Sequence, residues 1–420
     1  MSITLTPTDQ NTRDLLKDYT ITNGYNDKVL LKIEDNHITA KTVEQLINDP
    51  TQPISHRVCY GVLFPWMDHD HLKDTVFIGY SAPPFYNRYK EENNKITVER
   101  LEQNTISMEE YTIISKHKIE QNIKHLLDTK KDITLFYSRG IDSLLLLSYL
   151  MKYDRVKDTR LIHLGDRISK KPFMDTSIEK QTGFNIETHF VDDEFIYSGF
   201  NQSNPFKLRE LIFYWVAERF KNSLILCGNE GNSVLFHKWE WVKRIGRPVT
   251  MTSCYTKECL NINWNTPTDL DYHTISFIEP RSRSWNSNDL KDIHCPISDM
   301  ELLRMLPFID VRNLDTNFIA DASMVKNIIR DNVGNKLDFL MTTQTESWNR
   351  PVYDETFDTK KIDPIYLKID ALKKENQGNI RRIVRPMGII HIRNKIQQGL
   401  NENRLSFRDI ACMKLINYFL

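Results

Sequence analysis

The chain has no CxxC motif, no excess of either charge and no long apolar run, and each absence excludes a class of protein. Its six cysteines include no CxxC pair and no Cys/His group with zinc-finger spacing, so no zinc module is expected. Lys+Arg and Asp+Glu number 56 each, so the chain has no global basic field for nucleic acid. No run approaches the roughly 20 apolar residues of a membrane span, and the polar N-terminus is not a signal peptide. We therefore expect a reduced, cytoplasmic setting and no membrane partner.

The length of 420 residues allows two or three domains, and the pattern along the chain changes twice. Residues 1–110 are expected to form a β-rich domain, with strands at 29–33, 56–64 and 75–80 and a turn at 91–95. The polar leader that begins at Ser2 is expected to be disordered. Residues 111–350 are expected to form a second domain. A helix over 108–127 is expected to carry the chain into it. Residues 351–420 are predicted to be a basic, helical extension of it. No internal repeat or low-complexity tract interrupts this order.

From residue 132 onward, short apolar runs alternate with amphipathic segments. This alternation predicts a doubly wound parallel sheet, because parallel strands need crossover connections. The predicted strands are 133–138, 160–164, 186–191 and 223–227, and the predicted helices are 141–153, 173–182 and 208–220. Ligands of such sheets bind at the carboxyl ends of the strands, where the turns at 138–143 and 228–233 would lie.

The turn Ser138-Arg-Gly-Ile-Asp-Ser143 has the residue types of a phosphate site. Gly140 permits close backbone approach, and the hydroxyls of Ser138 and Ser143 can bond phosphate oxygens. Asp142 can hold Mg²⁺, which would neutralise charge on a leaving pyrophosphate. An ordinary strand-to-helix turn, with Asp142 and Ser143 completing the helix start, is the alternative.

Three stretches in order resemble the synthetase domain of asparagine synthetase and its relatives, including β-lactam synthetase. The turn at 138–143 is similar to the SGGxDS pyrophosphate loop of the N-type ATP pyrophosphatases. The stretch 226–236, LCGNEGNSVLF, stands where the family has its second loop, about 90 residues later. Pro307-Phe-Ile-Asp310 and then Lys326-Asn-Ile-Ile-Arg330 match a PFLD segment and a Lys-x-x-x-Arg helix. The resemblance covers residues 130–335.

The resemblance implies a fold, a reaction and a set of site residues. The fold would be of the adenine nucleotide alpha-hydrolase-like (HUP) type. A carboxylate would attack the α-phosphate of ATP, pyrophosphate would leave, and ammonia or an amine would attack the acyl-adenylate. The residues implied to bind ATP and Mg²⁺ are Ser138, Arg139, Gly140, Asp142 (also the metal ligand), Ser143, His163, Leu164, Gly165, Gly228 and Asn229. Those implied in catalysis are Glu230, Arg139 and Lys326.

The chain departs from the family pattern at several positions. Arg139 replaces the middle glycine of the first loop, where it could clamp phosphate or fill the site. Ser233 stands where the family has a metal-binding aspartate, and Val234 stands where the next acid would be. The stretch 341–348 contains no lysine to match a catalytic lysine of the family. These losses remove charge that adenylation needs.

The N-terminal region also departs from the family, whose glutaminase carries a cysteine directly after the initiator methionine. This chain begins Met1-Ser2, and its first cysteine is Cys59. We interpret residues 1–110 as a degenerate glutaminase-like sandwich or an unrelated β domain. The nitrogen would then come from free ammonia or from an amine on the substrate.

Three hypotheses remain open from the sequence. The first is an ATP-dependent, AMP-forming ligase or amidotransferase that acts on a small carboxylate with ammonia or an amine. The second is a pseudo-enzyme of the same fold that serves binding. The third is a nucleic-acid base modifier, because other pyrophosphate-loop enzymes act on tRNA, although the neutral charge counts against it.

Overall fold

The computed structural model describes a little over half of the chain. The described residues are 2–21, 29–42, 45–46, 48–49, 51–53, 79–80, 87–100, 106–128, 132–138, 140–165, 177–202, 211–228, 231–235, 293–297, 299–305, 322–341, 355–364, 394, 396–407, 409–410 and 413–414. They belong to two compact units. The first unit is Met1–Gln103, Tyr197–Arg209 and Glu355–Leu420, and the second is Asn104–Ile196 and Glu210–Asp354. The domain boundaries expected from the sequence stay a prediction.

The first unit contains a mixed five-stranded sheet and a helix. Its elements are β1 (Ser2–Pro7), α1 (Gln10–Ile21), β2 (Val29–Glu34), β3 (His37–Thr42), β4 (Asn87–Glu92) and β5 (Lys95–Arg100). The strand order is β2-β3-β1-β5-β4, and β1 runs parallel to β3 but antiparallel to β5. The turn of the β4–β5 hairpin is formed by Asn93 and Asn94, both at positive φ, as a two-residue turn requires. The predicted strand at 29–33 and the predicted turn at 91–95 are therefore confirmed.

The expectation of a disordered leader is wrong. Residues 2–7 form β1, the central strand of the sheet, in which Ser2 is in register with Glu99. The side chains alternate along the strand, so Leu5 is buried while Thr4 and Thr6 are exposed. Leu5 packs in one core with Leu16 of α1 and strand residues such as Val29. The sequence of this segment does alternate between polar and apolar residues, but its polar composition favoured the interpretation as a disordered leader.

The second unit contains a five-stranded sheet in which every pair is parallel. Its strands are β6 (Ile133–Phe136), β7 (Thr159–Leu164), β8 (Ile186–His189), β9 (Leu224–Leu226) and β10 (Ile293–His294), in the order β10-β9-β6-β7-β8. The α/β class and the parallel sheet are confirmed. From β6 the chain proceeds to β7 and β8 on one side, whereas β9 and β10 lie on the other. The order therefore reverses between β6 and β9.

Helices precede, connect and follow these strands. They are α2 (Met108–Leu127), α3 (Ile141–Lys152), α4 (Ser177–Thr182), α5 (Asp193–Gln202, across the division between the units), α6 (Leu211–Arg219), α7 (Gly231–Val234), α8 (Met300–Met305) and α9 (Ser323–Val333). Ser107 caps α2, because its hydroxyl accepts a hydrogen bond from the N–H of Glu110 at 3.1 Å. Gly183 follows α4 at φ +76°, the left-handed conformation that commonly ends a helix. In the part of the chain that the structure describes, no helix is both long and apolar enough to cross a membrane.

The observed bounds of several elements differ by one to four residues from the predicted ones, and some elements were not predicted at all. The predicted helix at 108–127 matches α2, and the predicted strand at 223–227 corresponds to β9. The sequence analysis did not identify α5 or the small antiparallel pair β11 (Thr356–Asp358) and β12 (Arg404–Ser406). The predicted strand at 56–64, most of the one at 75–80, and the segment Pro307–Asp310 lie outside the described residues.

Candidate functional site

The candidate site lies at the carboxyl edge of the parallel sheet, where the strand order reverses. The first loop follows β6 and leads through Gly140 into α3. The second follows β9, passes Gly228 and leads into α7 at Gly231. Because β6 and β9 are hydrogen-bonded neighbours, both loops leave the sheet side by side. This is the topological switch point, the usual ligand position in an open α/β sheet.

The first loop is held by hydrogen bonds among its own residues. The hydroxyl of Ser138 accepts from the N–H of Gly140 at 3.2 Å, and the hydroxyl of Ser143 donates to the carbonyl of Gly140 at 2.7 Å. The helical ladder of α3 begins when Leu144 donates to that same carbonyl at 3.0 Å. The backbone N–H groups of the first turn precede this ladder, and N–H groups at a helix start can bind an anion.

Gly140 leaves little room for a side chain where the first loop turns. A Cβ at Gly140 would lie 3.0 Å from the Ser138 hydroxyl oxygen, which is tighter than ordinary van der Waals contact. The space that a side chain would occupy is therefore left open beside two hydroxyl groups. This geometry fits the predicted cradle for a phosphate group.

The two loops meet at Asp142. A Cβ at Gly228 would lie 2.8 Å from the backbone carbonyl carbon of Asp142 and 2.9 Å from the N of Ser143. A Cβ at Gly231 would lie 3.0 Å from Oδ2 of Asp142 and even closer to Oδ1 and Cγ. At position 228 the clash is with backbone, so only glycine allows this approach, whereas at position 231 a side chain would force the Asp142 carboxylate to move. The structure thus brings together Asp142, Ser143 and Gly228, which the sequence analysis assigned to one site.

The second loop is anchored to α2 through its short helix. Val234 is fully buried, and its carbonyl accepts a hydrogen bond from the Tyr111 hydroxyl at 2.9 Å. The adjacent Leu235 is also fully buried. The side chain of Val234 therefore belongs to the core, where a carboxylate would be costly to bury. This packing explains why an apolar residue stands at that position.

The end of β7 borders the first loop. His163, Leu164 and Gly165, which the resemblance places beside adenine, are all buried at this edge. The His163 ring places Nδ1 3.2 Å from the carbonyl of Tyr137, one residue before Ser138. The N–H of Gly165 donates to the carbonyl of His189 at the end of β8, at 2.9 Å. These contacts tie the first loop to β7, and they tie β7 to β8.

The helix that begins at the first loop is clamped at its far end. Asn332, late in α9, donates to the hydroxyl of Ser148, late in α3, at 3.0 Å. The two helices are packed against each other. Lys326 lies in the first turn of α9 and is half-buried.

A charged cluster joins the C-terminal end of α3 to α2. Lys152 contacts Glu120 Oε1 at 2.7 Å, and the Tyr153 hydroxyl donates to the same oxygen. Desolvation raises the pKa of Glu120, but the hydrogen bonds from Lys152 and Tyr153 outweigh it and lower the pKa to about 2. Burial raises the pKa of Tyr149, which donates to the Lys116 carbonyl. The cluster keeps α3 in place behind the loop.

Three predicted site residues, Arg139, Asn229 and Glu230, lie outside the described residues. Among the described residues, no group of three or more His, Cys, Asp or Glu side chains could hold a metal ion. Mg²⁺ in nucleotide sites is commonly held by one or two carboxylates together with phosphate oxygens. Asp142 beside the open loop fits that donor set as the carboxylate.

Gly231 and Tyr111 also belong to the site, although neither was predicted from the sequence as a site residue. Gly231 is three residues after Gly228 in a stretch that follows a strand, a signal that could have marked a second close approach. Nothing in the sequence marks Tyr111, because its hydroxyl reaches a carbonyl 123 residues later in the chain.

Comparisons with models of known protein families and with curated proteins find no match for this chain.

Proposed function

We propose that the second unit is an ATP-dependent, AMP-forming ligase or amidotransferase that joins ammonia or an amine to a small carboxylate. The observation that carries the proposal is the meeting of the two loops at Asp142, at the edge where the strand order reverses. An ordinary strand-to-helix turn does not need a second glycine loop packed against its first helical turn. A ligand site at a switch point lies between two such loops, at the carboxyl ends of the strands.

The loop residues can supply what pyrophosphate departure requires. The N–H groups at the start of α3 and the hydroxyls of Ser138 and Ser143 would bind phosphate oxygens. Asp142 would hold Mg²⁺, which supplies charge neutralisation when bound. The substrate carboxylate forms a bond to the α-phosphorus as the bond to pyrophosphate breaks. The amine then attacks the acyl carbon, and AMP leaves.

The finer fold assignment belongs to the same proposal. With the strands numbered in chain order from β6, the sheet order is 3-2-1-4-5 from β8 to β10. A phosphate loop after strand 1 and a second loop after strand 4 support the adenine nucleotide alpha-hydrolase-like (HUP) type. The buried end of β7, beside strand 1, would border the adenine.

A second candidate is a protein that binds nucleotide without turning it over. The burial of Val234 favours it, because that position contributes packing to the core and no carboxylate to the site. The stretch 341–348 likewise contains no lysine. The geometry of the first loop is compatible with both candidate functions.

Pyrophosphate release from MgATP with a panel of small carboxylic acids and ammonium tests the proposal. We expect release by the intact chain and its loss in Asp142→Ala. The control variant Asp158→Ala removes an exposed carboxylate at a turn of the same unit, which bonds Arg155, and should retain activity. Calorimetric binding of MgATP without any release would favour the second candidate. Absence of binding at millimolar nucleotide, or full activity of Asp142→Ala, would contradict both assignments of the site.

A further inference from the structure

Two cysteines lie side by side at the edge that carries the second loop. Cys227 directly follows β9, and Cys295 directly follows β10. Both are thiols in the structure. Cys227 is buried, whereas Cys295 is half-buried. Cys227 is also the residue immediately before Gly228, which contacts Asp142.

The strand register places these two residues opposite each other. Ile225 is paired with Ile293, and Leu226 with His294, so the next pair along is Cys227 and Cys295. The ladder continues to this level, because the N–H of Cys227 donates to the carbonyl of His294 at 3.0 Å. It ends there, because Pro296 has no N–H with which to continue it.

Opposed residues on parallel strands carry their side chains on the same face of the sheet. Their Cα atoms are about 4.8 Å apart, within the roughly 4.4–6.8 Å that a disulfide spans. A disulfide also brings the two Cβ atoms to about 3.8 Å, closer than the strand spacing. Closing it therefore draws the ends of the two strands together by roughly an ångström.

We propose that Cys227 and Cys295 are a redox-sensitive dithiol that forms a disulfide and thereby alters the second loop. The half-buried Cys295 thiol loses its proton and attacks a low-molecular-weight disulfide, forming a mixed disulfide and releasing one thiol. The Cys227 thiol loses its proton and attacks the Cys295 sulfur, which releases the second thiol. Two protein thiols are oxidised and one small disulfide is reduced to two thiols.

The second loop is in close contact with α3, so this movement changes that contact. A Cβ at Gly228 would already lie within 2.9 Å of the backbone of residues 142 and 143, so the two backbones are in close contact. Because β9 lies between β10 and β6, drawing Cys227 toward Cys295 moves Gly228 away from β6 and from its contact with the first turn of α3. This consequence for nucleotide binding rests on the proposed function, whereas formation of the disulfide does not.

The test is titration of the intact chain with oxidised glutathione, followed by alkylation and peptide mass mapping. We expect a cross-linked peptide pair that contains Cys227 and Cys295. Hydrogen exchange over residues 226–235 should change on oxidation and revert with a reducing agent. If reduced protein binds MgATP, oxidation should weaken that binding about tenfold. Cys295→Ser should abolish all these responses, and Cys412→Ser, in the other unit, should keep them.

Three outcomes would overturn the inference. One is the absence of the cross-linked pair at excess oxidant. Another is a cross-link that leaves hydrogen exchange of the loop unchanged. The third is a response that persists in Cys295→Ser. If the reduced chain binds no MgATP, the proposed function fails, but hydrogen exchange still decides the redox inference. Phenylarsine oxide, which bridges two neighbouring thiols, should protect both cysteines of the wild-type chain from alkylation, independently of any variant.

Discussion

Gly231→Ala is expected to displace the carboxylate of Asp142, and the structure indicates how this can be separated from simple destabilisation. The added Cβ would lie 3.0 Å from Oδ2 and closer to Oδ1 and Cγ, whereas ordinary contact begins near 3.4 Å. The carboxylate must therefore move by roughly an ångström, and such overpacking costs about 1–3 kcal/mol of stability. A misplacement of that size at a reacting site lowers turnover by about a hundredfold.

Gly228→Ala is the matched comparison, because its clash has a different origin. Its Cβ would meet the backbone carbonyl carbon and Cβ of Asp142, and the N of Ser143, all within 2.9 Å. Asp142→Ala retains those atoms but removes the carboxylate. In an Asp142→Ala background, Gly231→Ala should therefore lose most of its cost in stability, whereas Gly228→Ala should keep its cost.

Urea unfolding of the single and double variants measures the two couplings. We expect about 1–3 kcal/mol of coupling between positions 231 and 142, and little between 228 and 142. Gly183→Ala controls for glycine loss at a helix end away from the loops, since Gly183 has φ +76° and only ordinary contacts. Additive costs for Gly231→Ala and Asp142→Ala would refute the assigned approach of the two loops.

Two further predictions concern the supports of the site. Tyr111→Phe should lower the free energy of unfolding by about 1–3 kcal/mol in urea, because the buried carbonyl of Val234 loses its donor; an unchanged value would show that this bond does not anchor the second loop. Glu120→Gln should make stability less dependent on pH. The depressed pKa of Glu120 stabilises the fold above the unfolded value of about 4.5, and this stabilisation is lost as the pH falls from there toward 2. Unfolding midpoints at pH 7 and pH 3 measure the difference, and equal pH dependence in both proteins would contradict it.

Periodicity identified most elements of the second unit because its strands and helices have strong local patterns. The apolar run at 133–136 is fully buried, as a central parallel strand requires. The amphipathic segment from 108 corresponds to a helix with its cap, Ser107, at the predicted start. β1 was missed for the opposite reason, since its threonines alternate with Ile3 and Leu5 and gave it a polar appearance. A half-buried strand is polar on one face, and composition alone does not distinguish it from a loop.

The candidate site was only partly accessible from the sequence. Ser138, Gly140, Asp142 and Ser143 lie within six consecutive residues, so their types and spacing could be interpreted together. Gly231 lies 89 positions after Asp142, and its contact with the carboxylate depends on β6 and β9 being neighbours. Sequence order does not reveal that pairing, because β7 and β8 intervene along the chain.

The sequence by itself determined the local elements and the chemistry of each loop, because helical and strand periodicity, capping and glycine placement act over a few residues. It placed hydroxyls, a carboxylate and glycine in one turn after a buried strand. Only the tertiary structure decided which loops meet, why Gly231 has no side chain, and which cysteine faces Cys227. Those facts follow from strand order and register, which the packing of distant segments sets through contacts that no local pattern encodes.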